Sequence, residues 1–383
     1  MNTKSTLQPP IKSLWIAGAG DLGWRVARQL FRKDLRLVLE TRTPRRHPYY
    51  QILGAELKTT QRTPTPTAPC SHLLICFPPS ENFEKEVEES LKNWNGEGSA
   101  VLVSSTSVYA EKDGREVNLQ SPTLNTALSR AENFALKKGC HVLRLAGLYS
   151  AQSGPHVFWE TRSVPVDSPK AMINLIHRHD AATAISLLLK ANVPARTWNL
   201  SDGHAQNRQE VATTWMDFRG ATPQLGPQAD ERGKIVSPDD SWTSVGWQPR
   251  WPSFSDFVNS LRQPRNVFGR PLKICSRDPV TGFLRDGCCN PNVEDSGEHT
   301  ICCEMSAVFL GFSKAQGNDL STPRPEFSFA GLLPGNQWCL CTPRWFEAWL
   351  RDSAPRIYLE SCHESVLEWA PFKRLAPFAL DLA

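Results

Sequence analysis

The sequence has no apolar stretch approaching the roughly 18 residues that a membrane-spanning helix needs, which excludes a spanning segment of that kind. No leader is expected either: Met1 to Pro10 is polar and runs directly into Ser13-Leu14-Trp15-Ile16-Ala17, which points to cytoplasmic residence. Charge of one sign is also missing. The 43 Lys/Arg and 39 Asp/Glu leave a net +4, spread without long blocks, so neither a nucleic-acid nor a membrane partner is expected. Tyrosine is scarce, with five residues in all, and that scarcity bears on the chemistry below. Cysteine is nearly missing from the first two thirds. Only Cys70, Cys76 and Cys140 precede residue 264, and the other eight of the eleven crowd into the last third of the chain.

What is present divides the same way. From residue 264 onward, 12 Lys/Arg face 14 Asp/Glu, a net −2 that leaves +6 for the first part. With 383 residues the chain is long enough for two domains. The seam is expected near Pro264, giving a domain over 1–263, with a smaller substrate lobe within about 150–263, and a second over 264–383.

The chain opens as strand, glycine loop and helix. Leu14-Trp15-Ile16-Ala17 suits a strand buried on both faces. Gly18-Ala19-Gly20-Asp21-Leu22-Gly23 follows, and then Val26, Ala27 and Leu30 at helical spacing. In such a loop the first glycine permits the turn, the second admits a pyrophosphate, and the third lets helix meet strand. The helix N-terminus supplies N–H donors to the anion. A second strand, Leu35 to Leu39, leads to Glu40-Thr41-Arg42-Thr43-Pro44-Arg45-Arg46. Glu40 could hold the adenosine ribose of NAD. Arg42, Arg45 and Arg46 could hold the 2′-phosphate of NADP, and three arginines against one glutamate favour NADP.

Further strands, His72 to Phe77 and Ala100 to Val103, alternate with a charged helix over Glu81 to Trp94. The fold expected is a Rossmann-type, doubly wound parallel α/β sheet, followed by a smaller α+β cysteine-rich domain. Ligands bind beyond the carboxyl ends of such strands, which places Phe77, Pro78 and Ser104 to Tyr109 along a cofactor cleft.

These residues carry a resemblance. From about Lys12 to Leu261 the chain resembles an atypical extended short-chain dehydrogenase/reductase of the NAD-dependent epimerase/dehydratase family. Ser104-Ser105-Thr106-Ser107-Val108-Tyr109 is similar to the family's S-S-x-x-V-Y strand end, and Val142 to Tyr149 to its R-x-x-x-I-Y-G strand. Asn174 to Ala182 is similar to its N-x-I-H-V-D-D-L-A segment beside the substrate, and Trp198 to Gly203 to its Y-N-V-S-D-G strand. The resemblance implies an NAD or NADP cofactor and a small carbonyl or sugar-like substrate. It places Asn174, His177 and Asp180 on the substrate side.

One departure touches the reaction itself. The family uses a Tyr-x-x-x-Lys pair in which lysine lowers the phenol pKa. The residues four after Tyr49, Tyr50, Tyr109, Tyr149 and Tyr358 are Leu53, Gly54, Asp113, Ser153 and Cys362. None is lysine. Thr126 and Arg130 keep the spacing, Ser105 matches the family's Ser/Thr position, and Tyr109 with Arg130 nearby is the candidate substitute for the proton donor. The reading is therefore an NAD(P)-dependent reductase or epimerase, or, in its place, a nucleotide sensor without turnover whose C-terminal module binds a metal or partner.

Residues from Asn266 onward resemble a family known only as domain of unknown function 2237. The resemblance rests on Cys275 to Phe283, Arg285-Asp286-Gly287-Cys288-Cys289, Gly317 to Pro323 and Trp338-Cys339-Leu340-Cys341. Helices are expected over Ser306 to Lys314, Arg344 to Arg351 and His363 to Trp369. With nothing marking an oxidising compartment, a disulfide framework is disfavoured. Three accounts of the cysteines remain: a zinc site drawn from Cys289, His299, Cys302, Cys339 and Cys341; small buried hydrophobes; or reactive thiols, including a cysteine nucleophile with His299 or His363.

Overall fold

The computed structural model describes residues 10–42, 50, 53–59, 68–327 and 329–382. Two units emerge, Met1–Val258 and Asn259–Ala383.

In the first unit, seven parallel strands form the central sheet: β1 (Ser13–Ala17), β2 (Arg36–Thr41), β3 (Glu56–Thr59), β4 (His72–Ile75), β5 (Ala100–Ser105), β7 (His141–Leu145) and β11 (Thr197–Leu200). Their spatial order is β11-β7-β5-β4-β1-β2-β3. The order reverses between β1 and β4, and a crevice opens at such a reversal, beyond the carboxyl ends of the strands. Helix α1 (Asp21–Leu30) packs with α5 (Arg178–Lys190), and α2 (Phe83–Leu91) with α3 (Ala127–Lys137). Apolar strands explain the layering: Trp15, Ala17, Val38, Leu73, Ile75 and Leu102 join Phe83 and Val87 of α2 and Ala131 and Ala135 of α3 in one buried cluster.

The smaller lobe holds short strands: β6 (Asp113–Val117), β8 (Gly147–Tyr149), β9 (Met172–Ile173), β10 (Leu175–His177), β12 (Gln206–Asn207) and β13 (Gly233–Val236). They form a four-stranded sheet, β12-β9-β13-β6, and a β10-β8 pair. Helices α4 (Pro155–Arg162) and α6 (Arg208–Phe218) pack together. Helix α7 (Phe254–Arg262) begins inside the first unit and contains the boundary between the two. Its Phe254 and Phe257 rings pack on Tyr149, at 5.2 and 5.3 Å between centroids. Trp242, Trp247 and Trp251 are buried packing residues.

The second unit is built on a three-stranded antiparallel sheet, β15-β14-β16, comprising β14 (Ile301–Glu304), β15 (Gln337–Leu340) and β16 (Arg356–Ile357). Helices α8 (Ala307–Ala315), α9 (Thr342–Leu350) and the short α10 (Phe372–Leu375) accompany it. The helix expected over His363 to Trp369 is instead a 3-10 turn at Glu364–Glu368.

Cys302 and Cys339 face each other across β14 and β15, yet each bonds to a cysteine from the preceding loop: Cys275–Cys302 and Cys289–Cys339. This corrects the expectation against disulfides. That expectation rested on compartment, whereas the fold gathers four sulfurs, and those of Cys275, Cys289 and Cys302 lie within 4.8 Å of one another. Closing spans of 27 and 50 residues, each bridge contributes roughly 3–4 kcal/mol by chain-entropy arguments. Denatured without reductant, the protein should take up an alkylating reagent at the seven free cysteines. Mass spectrometry finding all eleven labelled would show the bridges to be absent.

Candidate functional site

The glycine loop joins β1 to α1 at the crevice. Gly18 has φ +99°, and a Cβ there would sit 2.4 Å from the Phe77 backbone nitrogen. At Gly23 a Cβ would lie 2.7 Å from the Gly18 carbonyl oxygen and 2.9 Å from Ile16 Cγ2. Gly20 differs: it is exposed, and nothing lies within 4 Å of its missing Cβ. Trp24 N–H makes the first intrahelical bond, to Gly20 O at 2.9 Å, which leaves the amides of Asp21, Leu22 and Gly23 without an intrahelical acceptor. Ala19 is buried, and its carbonyl accepts a hydrogen bond from Tyr50. Burial works against charge on Asp21, but Arg25 and Arg178 hold its carboxyl below the usual range.

Beside the loop, the Phe77 ring packs edge-on to Phe83 and lies 6.0 Å from the Arg42 guanidinium. Pro78 follows it. Arg42 is also paired with Glu86 at 2.7 Å. Glu40, at the end of β2, accepts from the Trp15 indole at 3.1 Å. Arg45 and Arg46 lie outside the described residues.

The candidate residues for proton transfer do not come together as expected. Thr126 caps α3, accepting from Ser129 N–H in a reciprocal capping box. Arg130 pairs with Glu84 at 3.0 Å rather than with Tyr109. Ser105 is half-buried and accepts from Ser107 N–H at 3.1 Å. Tyr109 is fully buried. Its hydroxyl donates to Asn199 Oδ1 at 2.7 Å and accepts from Arg144 at 3.1 Å. The same Arg144 forms a two-pronged buried pair with Glu132, to which Ser104 also donates. Glu132, Arg144 and Asn199 escaped sequence reading as a group because they come from α3, β7 and β11. Only the topology brings them to one tyrosine.

The residues expected on the substrate side are also built into the packing. Asn174 bridges to β13, donating to Lys234 O and accepting from Val236 N–H at 2.8 Å each. His177 caps α5 and packs against Trp251, Phe257 and Tyr149. Asp180 is buried and accepts from Trp251 N–H. Close by in charge terms is a residue absent from the expected set. Burial pushes the Asp202 carboxyl up to about 7, with Asp180 and Asp256 adding to the effect and the His204 N–H bond opposing it.

In the second unit, the five residues proposed for zinc are divided. Cys289, Cys302 and Cys339 are in disulfides, while His299 and Cys341 hydrogen-bond to each other. His363 caps the 3-10 turn and accepts from Ser365 N–H.

Against known proteins, residues 265–379 match a family described as uncharacterized proteins conserved in bacteria (DUF2237). No curated protein matches the chain. Among solved structures, a functionally unknown conserved protein from Silicibacter pomeroyi is 20% identical with a TM-score of 0.56, covering 66% of this chain and 98% of its own. The Bordetella bronchiseptica enzyme WbmG, solved with NAD and UDP, is 15% identical with a TM-score of 0.53, covering 67% and 94%. UDP-glucose 4-epimerase from Bifidobacterium longum, solved with NAD+ and UDP, is 11% identical with a TM-score of 0.51, covering 65% and 96%. The first unit therefore shares the Rossmann-like fold of these proteins.

Asp202 gives a pH prediction. Its folded pKa lies above that of an unfolded aspartate, so the native state holds the extra proton between about pH 4 and 7, and stability falls as pH rises through that window. Asp202→Asn should therefore raise stability at pH 8 by about 2–4 kcal/mol and change little near pH 4. Urea unfolding at both pH values measures this.

Proposed function

We propose that the first unit binds a nicotinamide dinucleotide on its glycine loop and does so without the tyrosine–lysine proton relay usual in its fold class. The observation that carries the reading is the unequal crowding of the three glycines. Gly18 and Gly23 are pressed against backbone, while Gly20 faces open space beside unclaimed helix N–H groups. A diphosphate would fit that opening, with its charge at the positive end of α1. When bound, the cofactor would supply hydride chemistry. The chain's own part is to cradle the phosphates at Asp21 to Gly23 and to line the cleft with Phe77 and Pro78.

Two features support NAD over NADP. Glu40 brings a carboxylate to the end of β2, suited to ribose hydroxyls and repelling a 2′-phosphate. Arg42, the described one of the three arginines, is already paired with Glu86. Absence of turnover is supported by the other commitments in the first unit: Thr126 to a helix cap, Arg130 to Glu84, and Tyr109 to Arg144 and Asn199. Ser105 alone of the expected set keeps a partly accessible hydroxyl at a strand end.

Calorimetric titration with NADH and NADPH tests the reading, with NADH expected to bind tighter. The two glycines should separate stability from binding. Gly18→Ala should cost about 2 kcal/mol or more of stability, because its Cβ meets backbone at a positive φ. Gly20→Val should leave the melting temperature nearly unchanged and weaken NADH at least about tenfold, a loss of roughly 1.4 kcal/mol of binding. Turnover on a panel of carbonyl substrates, abolished by Ser105→Ala, would replace the binding-only reading with a reductase.

A further inference from the structure

In the second unit, a chain of three side chains ends on a thiol. Asp295 is buried, with its side chain 2% exposed, and its Oδ1 lies 2.8 Å from His299 Nδ1. Its Oδ2 accepts from the His299 backbone N–H at 2.7 Å, so the carboxylate grips the histidine at two points. The other ring nitrogen, Nε2, is 3.0 Å from Cys341 Sγ. Exposure rises along the chain, to 32% for the His299 side chain. Cys341 is half-buried, so the buried end is the carboxylate and the accessible part is the imidazole and thiol.

The local sequence shows why the loop can close this tightly. A Cβ on Gly297 would come 2.7 Å from the imidazole Cε1 and 3.3 Å from Asp295 Oδ1, so only glycine leaves room for the ring to lie back against the carboxylate. Phe283 stacks on the outer face of the imidazole, with centroids 6.2 Å apart and planes 28° apart. On the other side of the pair, Cys341 is the cap residue of α9, with no side-chain cap hydrogen bond and no acidic residue in the first turn. The sulfur thus sits at the N-terminal end of a nine-residue helix. The groups facing the imidazole are Asp295, Cys341 and the Phe283 ring. Hydrogen bonds from Asp295, and then from Cys341, raise the imidazole pKa to about 10, so it carries its proton at neutral pH. Four of the other free cysteines are placed differently. Cys140, Cys303 and Cys362 are fully buried thiols pushed up by desolvation, and Cys76 donates to the Gly18 carbonyl.

We propose that Cys341 is the nucleophile of an acyl-transfer site, with His299 as its proton carrier, Asp295 as the positioning residue, and a thioester as the acyl donor. Sγ attacks the acyl carbon as the thiolate, and the bond from that carbon to the leaving sulfur breaks. The leaving thiolate takes the proton from His299 Nε2 and departs as a thiol. The acyl group is then held on Cys341 as a new thioester. Water attacks it, Nε2 accepts the water's proton, and the carboxylic acid leaves as its bond to Cys341 Sγ breaks, which returns the pair to thiolate and protonated His299. Oxidation states do not change, so water is the one co-reactant.

The helix end selects the donor. Thr342 N–H bonds to Glu298 O, Pro343 has no N–H, and the Arg344 and Trp345 amides bond to Cys341 O. With these first-turn amides committed, the site gives little support to a strong oxyanion. That disfavours amides, whose cleavage relies on such support, and favours donors with a good leaving group.

The test uses the full-length protein and S-phenyl thioacetate, following thiophenol release and locating the acetyl group by peptide mass spectrometry. Acetylation of Cys341 is expected, at pH 7 at least about tenfold faster than at any other cysteine of the native protein. His299→Gln should slow it at least about a hundredfold at the same pH. Asp295→Ala should slow it about tenfold or more, and Asp295→Asn, which keeps an acceptor for Nδ1–H, should restore part of the loss. Iodoacetamide labelling of the unmutated protein at pH 7, with Cys341 expected to react first, provides a measurement independent of any variant's folding. A Cys341 rate no greater than that of the other free cysteines, or acetyl groups confined to those, would overturn the proposal.

Discussion

The architecture of the first unit depends on the place where a backbone has no side chain. Gly18 lets the turn after β1 lie directly against the start of the segment after β4, closer than any Cβ would allow. That approach sets the crevice at the point where strand order reverses, fixes the direction in which α1 leaves the sheet, and aims its N-terminus at the opening. Gly23 does the same for the first helical turn against Ile16. Once these two contacts exist, the exposed Gly20 amid them is the consequence, and a site for an anion follows from a packing requirement.

Periodicity and glycine spacing made this part legible in the sequence. Leu14 to Ala17, Gly18 to Gly23 and the helix through Leu30 are local signals, and the structure places them as strand, loop and helix. What sequence could not convey was which polar residues meet. Tyr109 follows the 3-10 turn after β5, on the stretch where a cleft residue was expected, but its hydroxyl closes a buried network with Arg144 and Asn199, which lie 35 and 90 residues away. Asn174, His177 and Asp180 were recognisable as a segment, but their side chains cap, bridge and pack. A motif records a position in the fold. The direction of the side chain depends on neighbours that a single sequence does not name.

The second unit shows the same limit more sharply. Eight cysteines in about 120 residues gave a count without a pairing. Cys339 and Cys341 are two apart, yet one is a buried disulfide sulfur and the other a partly accessible thiol beside an imidazole. The difference arises because β15 ends at Leu340, so Cys339 keeps its place in the core while Cys341 turns to begin a helix. Asp295 was overlooked although the D-x-x-x-H spacing to His299 was readable. The signal was there, but its meaning needed the glycine between them.

Helix α7 carries a consequence of a different kind. Its first half supplies Phe254 and Phe257 to the cluster around Tyr149 and His177, and its second half belongs to the following unit by contact. Nine residues is too short for a helix to persist in water without packing, so its two halves stand or fall together. A protease cut or a gene division at the boundary between the units would therefore strip the first of its aromatic seal.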